Sequence, residues 1–188
     1  MRFLNRLFGR DDAATTDARR IYTNLMAQSR SPEFYGEGRF QDSYDGRIDV
    51  LTLHIAAILS NLNRYGENGE RLGQALFDEM KDDFEIALRE EALSDASVKK
   101  RISPMISLFY DRVKKYAEAL NQSEPKPALD AVFSETLSVG GIAPEFGDDA
   151  PSFVDTISSY LLAFDESLST ASLGQIALTE FSFPALTV

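Results

Sequence analysis

Apolar residues recur along most of this chain at steps of three and four and almost nowhere at steps of two, the mark of helices that each bury one face. Over 16–29, Ile21, Leu25 and Met26 form such a stripe, which Ser31-Pro32 ends. The stretch 33–44 holds Gly36, Gly38 and four aromatic residues, Phe34, Tyr35, Phe40 and Tyr44, and reads as a loop pinned by its rings. Asp45 is placed to cap a helix over 47–65. Its part from Val50 to Leu59 is apolar on most faces, as expected of a central helix. Only Asp49, Thr52, Ala56, Ser60 and Asn63 make a polar or small stripe on it.

Gly66-Glu67-Asn68-Gly69 reads as a turn. A third helix is predicted over 70–92, with Leu72, Leu76, Met80, Phe84 and Leu88 four apart. A fourth follows Ser97 and runs to about 121, with Ile102, Ile106, Phe109, Val113, Tyr116 and Leu120 on one side and Pro104 near its start. Pro125 and Pro127 suggest a linker before a short helix over 128–138, which carries Leu129, Val132, Phe133 and Thr136. Pro151 opens a helix to about 169 that presents Phe153, Ile157, Tyr160, Leu161, Phe164 and Leu168. Only the apolar end, 176–188, lacks a helical period and leaves room for a strand. The expectation is an all-α, single-domain bundle of about six helices. It divides into a basic amphipathic segment 1–14, a core helical part 15–122, and acidic C-terminal helices 123–188 that pack on the core.

Composition narrows the chemistry. The chain has 188 residues, enough to bury a core, and no cysteine, so disulfides, cysteine nucleophiles and thiolate metal sites are excluded. A single histidine, His54, speaks against a multi-histidine metal site. The net charge is −11, so nucleic-acid binding is not expected. Residues 121–188 contain one basic and ten acidic residues. The first ten residues reverse the sign: Arg2, Arg6 and Arg10 share one side of a helical wheel, and Phe3, Leu4, Leu7 and Phe8 share the other. Such a segment is a frayed terminus or packs on the chain's own core, or else makes peripheral contact with an anionic membrane. No apolar run reaches the length of a membrane span, and nothing resembles a secretory signal. Composition leads one to expect a soluble protein of a reduced compartment, such as the cytoplasm, with peripheral membrane contact at its N-terminal segment.

Catalytic patterns are missing. A carboxylate-bridged di-metal bundle needs Glu-x-x-His, and Leu51 stands three before His54. G-x-S-x-G, the P-loop and G-x-G-x-x-G do not occur. Asp78, Glu79, Asp82 and Asp83 cluster on one helix as a solvated face would. His54 lies across the wheel from the Asp49 stripe, in line with Arg47 and Asn61. It either bonds a carboxylate of the next helix, Asp78 or Asp82, or belongs to a polar patch that grips a partner. No enzyme activity, cofactor or metal is expected.

Five stretches carry a resemblance: I-Y-T-N-L-M-A-Q-S-R-S-P-E-F-Y at 21–35, D-G-R-I-D-V-L-T-L-H at 45–54, L-G-Q-A-L-F-D-E-M-K-D-D at 72–83, L-R-E at 88–90, and S-V-K-K-R-I-S-P-M-I-S-L-F-Y-D-R at 97–112. In order and spacing they resemble the ubiquinol–cytochrome c chaperone family, over about residues 20–121. With no long N-terminal extension, the chain is similar to the shorter members from α-proteobacteria. Pro104 and Asp111 depart from the family pattern and touch only the fourth helix.

The resemblance implies a non-catalytic assembly factor for ubiquinol–cytochrome c reductase. Its client would be newly made cytochrome b or another hydrophobic protein, held with a small partner subunit. A helical adaptor for another soluble protein, and an enzyme with an unrecognised site, are the alternatives. The candidate partner-binding residues are Phe34, Tyr35, Tyr44, Asp45, Arg47, His54, Phe77, Asp78, Phe109 and Tyr110. Phe77 and Phe109 are expected to be core, and Tyr35 and Tyr44 to be surface. The candidate membrane-proximal residues are Arg2, Phe3, Leu4, Arg6, Leu7 and Phe8.

Overall fold

A computed structural model describes the backbone of residues 2–90, 95–140 and 150–186, and most side chains from residue 13 onward. The side chains of Arg2, Phe3, Leu4, Arg6, Leu7 and Phe8 therefore lie outside the described residues. Six long helices form an all-α bundle: α1 (Arg2–Gln28), α2 (Tyr44–Leu62), α3 (Gly66–Glu90), α4 (Asp95–Leu120), α5 (Pro125–Gly140) and α6 (Ala150–Ser169). A short helix, α7 (Leu173–Ala177), follows. No strand occurs among the described residues: in the tail expected to leave room for one, residues 176 and 177 end α7, 178 and 179 form a turn, and 180–186 have no regular secondary structure.

The long apolar run makes α2 the axis of the bundle. Every residue from Asp49 to Ile58 is buried, and α2 packs against α1, α3, α4 and α6. The four-residue stripe of α3 is its buried face: Leu72, Leu76, Met80, Phe84 and Leu88 are all in the core. The α6 stripe behaves likewise, from Phe153 to Leu168. On α4 the buried line is Val98, Phe109, Arg112, Tyr116 and Ala119, so Ile102, Ile106 and Val113 flank the core instead of filling it.

Several local expectations need correction. Ser43 caps α2, its Oγ accepting from the Gly46 amide at 3.2 Å, whereas Asp45 lies inside the first turn. Gly46 is demanded by close approach, because a β-carbon there would collide with the carbonyl of Gln41. Residues 66–69 are the first turn of α3, not a loop. The reversal happens earlier, in the 3-10 turn Asn63–Tyr65 and at Gly66, whose φ of 54° suits glycine. Pro104 sits well inside α4. Pro125 and Pro127 belong to the first turn of α5, where a missing amide costs little.

The acidic C-terminal helices are tied to the rest by specific bonds. Lys126 reaches Asp130 at 2.8 Å and Asp155 at 2.7 Å, joining α5 to α6. Asn61 on α2 donates to Asp165 on α6 at 2.7 Å. With His54 opposite Tyr160 and Asn61 opposite Asp165, α2 and α6 run in the same direction. The final residues lie along this seam: Phe183 stacks on Phe164 at 5.1 Å and meets the His54 ring edge-on at 5.6 Å.

Candidate functional site

An open feature lies between the N-terminal half of α2 and α4. Two hollows share Asp45 and Met105 and so form one groove, with volumes of about 640 Å³ and about 260 Å³. Tyr44, Asp45, Ile48, Asp49 and Thr52 supply the α2 wall, and Lys100, Arg101, Pro104, Met105, Leu108 and Arg112 the α4 wall. Two large apolar side chains on these walls face solvent, Tyr44 at 45 % and Leu108 at 51 % exposure. Apolar area left in water at a concave site is where a partner gains most by covering it.

The floor is ionic. Arg112 of α4 pairs with Asp49 of α2, and both are buried. Burial pushes the Arg112 guanidinium below its ordinary value. Its Nε has no hydrogen-bond partner. Removing either member would strand the other charge in a place water barely reaches. One turn away, Thr52 returns its hydroxyl to the carbonyl of Ile48 at 2.7 Å, which lets a polar side chain sit in the interior. Pro104 adds a backbone feature: it has no amide to offer the carbonyl of Lys100, and both residues line the larger hollow.

The ten candidate residues do not converge on one place. Tyr44 and Asp45 are exposed on the groove, and Phe109 forms part of its floor while being 2 % exposed. Phe77 and Tyr110 lie on the other flank of α4, toward α3, with ring centroids 4.9 Å apart and Tyr110 53 % exposed. Asp78 is exposed on α3 and accepts from Gln74 at 3.0 Å. Arg47 is exposed and paired with Asp42 at 2.8 Å. Tyr35 is half-buried, its hydroxyl donating to the carbonyl of Ser29, and burial pushes that hydroxyl up to about 12. This corrects the surface placement expected for Tyr35.

Phe34 and His54 are interior, so neither touches a partner on the folded surface. Nor does His54 bond Asp78 or Asp82. Its Nδ1 lies 2.7 Å from the carbonyl of Val50, which can only accept, so Nδ1 carries the proton. Nε2 must then accept from the Tyr160 hydroxyl, also at 2.7 Å. Tyr160 in turn accepts from Gln28 at 3.2 Å, joining α1, α2 and α6. The rings of Phe34, Tyr160, Phe164 and Phe183 surround the imidazole edge-on. Burial in this apolar cage pushes His54 down to about 4, against the pull of the Val50 carbonyl.

Asp49, Lys100, Arg101, Met105, Leu108 and Arg112 are the groove residues that sequence reasoning did not select. A signal for one pair existed. Asp49 sits in a nearly all-apolar helix, and Arg112 is four before Tyr116 on an apolar stripe. Two lone opposite charges on core faces imply each other.

This arrangement is a helical scaffold with an open, part-apolar groove. Among the described residues, no three His, Cys, Asp or Glu side chains are grouped to hold a metal ion, and no helix is long and apolar enough to cross a membrane. The family model described as ubiquinol-cytochrome C chaperone matches residues 37–183, and the chain belongs to that family. The crystal structure of the Cbp3 homolog from Brucella abortus is similar along nearly its whole length, with a TM-score of 0.75, 27 % sequence identity and 97 % of each chain covered. None of the curated proteins matches. The family match extends through α5 and α6, well past the stretch where the sequence resemblance was evident.

Proposed function

We propose that this assembly chaperone holds a newly made membrane subunit of ubiquinol–cytochrome c reductase, cytochrome b, on the groove between α2 and α4 until the subunit is handed to the complex. Family membership over residues 37–183 supports the assembly role. The observation that carries the site is the groove itself, with Tyr44 and Leu108 held in solvent above a rigid, ion-paired floor. Apolar contact yields roughly 25 cal/mol per Å² covered, so a few hundred Å² gives binding that is useful yet reversible once ordering costs are subtracted. Reversibility is what a chaperone needs, and an open groove permits it where a closed cavity would not. The basic and apolar pattern of residues 2–10 supports work at the cytoplasmic face of the membrane, and a small partner subunit is compatible with the exposed α3–α4 flank at Tyr110.

The test compares two exposed apolar positions in a strain lacking the native gene. Leu108→Asp lies in the groove, and Ile86→Asp lies on α3 at a similar exposure of 55 %. Both variants should fold, since neither position is core. Leu108→Asp should fail to restore the spectral signal of assembled cytochrome b, and Ile86→Asp should restore it. Equal restoration by both would remove the groove from the account.

A further inference from the structure

The segment after α7 is held by its side chains. α7 ends in a left-handed turn: Thr179 has a φ of 57°, its amide donates to the carbonyl of Ile176 at 3.0 Å, and the Glu180 amide donates to the carbonyl of Gln175 at 2.8 Å. Glycine is the usual residue at that place, and a β-branched side chain there is strained. Beyond the turn, no backbone–backbone hydrogen bond ties residues 181–186 to the other described residues. A single hydroxyl bond does, from Ser167 to the carbonyl of Ser182 at 3.1 Å. Phe181 and Phe183 both meet Phe164, with ring centroids 5.8 Å and 5.1 Å away. Phe183 also meets His54, and Leu186 is buried. Ser182, between the two rings, is exposed, the alternation that an extended chain gives. Pro184 has no amide to leave unpaired.

We infer that the α2–α6 seam under this segment is a second binding surface, which the segment covers until a stretch of a partner protein, with aromatic side chains on alternate residues and basic flanks, takes its place. The surface lies across α2 from the groove, on the side of His54 and Phe164. The resident side chains show what fits: two rings on one side of an extended chain that forms no ladder of backbone bonds. Opening needs only rotation at Thr179, which releases the left-handed strain and gives up the contacts of a few side chains while the helices stay packed. Charge selects the occupant. Residues 121–188 contain ten acidic residues and one basic residue. A second copy inserting its own segment would bring two acidic thirds together, whereas a basic flank is attracted.

The experiment uses the full chain and three fluorescent peptides read by anisotropy at low salt: residues 178–186, the same peptide with E180K, and the same peptide with F181S/F183S. In the native chain the resident segment competes from a short tether, at an effective concentration of about millimolar. The chain variant F181A/F183A should therefore bind the 178–186 peptide at least about tenfold tighter than the native chain does. The chain variant T179G, whose glycine suits the turn, should bind it about fivefold more weakly than the native chain. The E180K peptide should bind about threefold tighter than its parent, by a margin that shrinks as salt is added, and the F181S/F183S peptide should not bind. Circular dichroism checks that both chain variants keep their helices; if F181A/F183A does not, the comparison of native with T179G decides. Equal affinity of the folded chains for the 178–186 peptide, or none in a folded F181A/F183A, would overturn the covered surface. An E180K peptide no tighter than its parent, or a native chain that dimerises through this segment in light scattering, would overturn the basic-flanked partner. Either result leaves the α2–α4 groove untouched.

Discussion

His54 is the only histidine in the chain, and its burial makes acid stability a direct readout of the α2–α6 seam. In the folded protein it is held neutral, with its value pushed down from 6.5 to about 4 by the surrounding rings. On unfolding it regains its ordinary value, so below that value the unfolded chain binds a proton that the folded one refuses. The folded state thus keeps its full stability above about pH 6.5 and loses it progressively as pH falls toward 4. The span of about 2.5 pH units is worth about 3.4 kcal/mol when fully expressed, and about 2 kcal/mol of it is gone by pH 5. Asp165, whose carboxyl burial pushes up, acts in the opposite sense, so the His54 contribution must be read as a difference. Urea unfolding of the native protein and of His54→Gln, which keeps an acceptor for Tyr160 but cannot charge, should be compared from pH 7.5 to 4.5. The native protein should lose about 2 kcal/mol more than the variant by pH 5, and the imidazole proton resonances should stay in their neutral positions down to that pH. Equal losses in the two proteins, or an imidazole that titrates near 6.5, would refute the buried, Tyr160-bonded histidine.

Three further outcomes follow from the same interior. Tyr160→Phe keeps the ring but leaves the His54 Nε2 a buried acceptor without a donor, and should cost about 1–3 kcal/mol in urea unfolding. Arg112→Met strands Asp49 and should cost about 3–5 kcal/mol, whereas Asp49→Leu with Arg112→Met should recover most of that loss. Gly46→Ala should destabilise, measured by thermal melting, although Ala in place of Gly inside a helix ordinarily adds about 1 kcal/mol; the reversed sign reports the close Gln41 carbonyl.

Helix faces were legible because each is written locally. The four-residue steps of α3 and the stripe of α6 name their own buried sides. What joins the helices was not legible. The wheel correctly set His54 apart from Asp49, but expected the next helix to cover it. In the fold α6 covers that side, and the partner is Tyr160, 106 residues away. Capping failed at Asp45 for a local reason: Ser43 lies one step before the helix that Tyr44 begins, and its hydroxyl reaches Gly46. Of the candidate site, Tyr44 and Asp45 could be read because they stand beside a loop. Leu108 and Met105 could not, since their exposure follows from where α2 ends up against α4.

The central claim is that the α2–α4 groove touches a client while that client is being made. A photo-activated crosslinking residue at position 108, with position 86 as the control, should be introduced into cells assembling ubiquinol–cytochrome c reductase and illuminated during a pulse of synthesis. The account predicts an adduct between position 108 and newly made cytochrome b that fades during a chase, and none from position 86. Adducts of equal yield from both positions, or adducts to cytochrome b from position 86 alone, would contradict it.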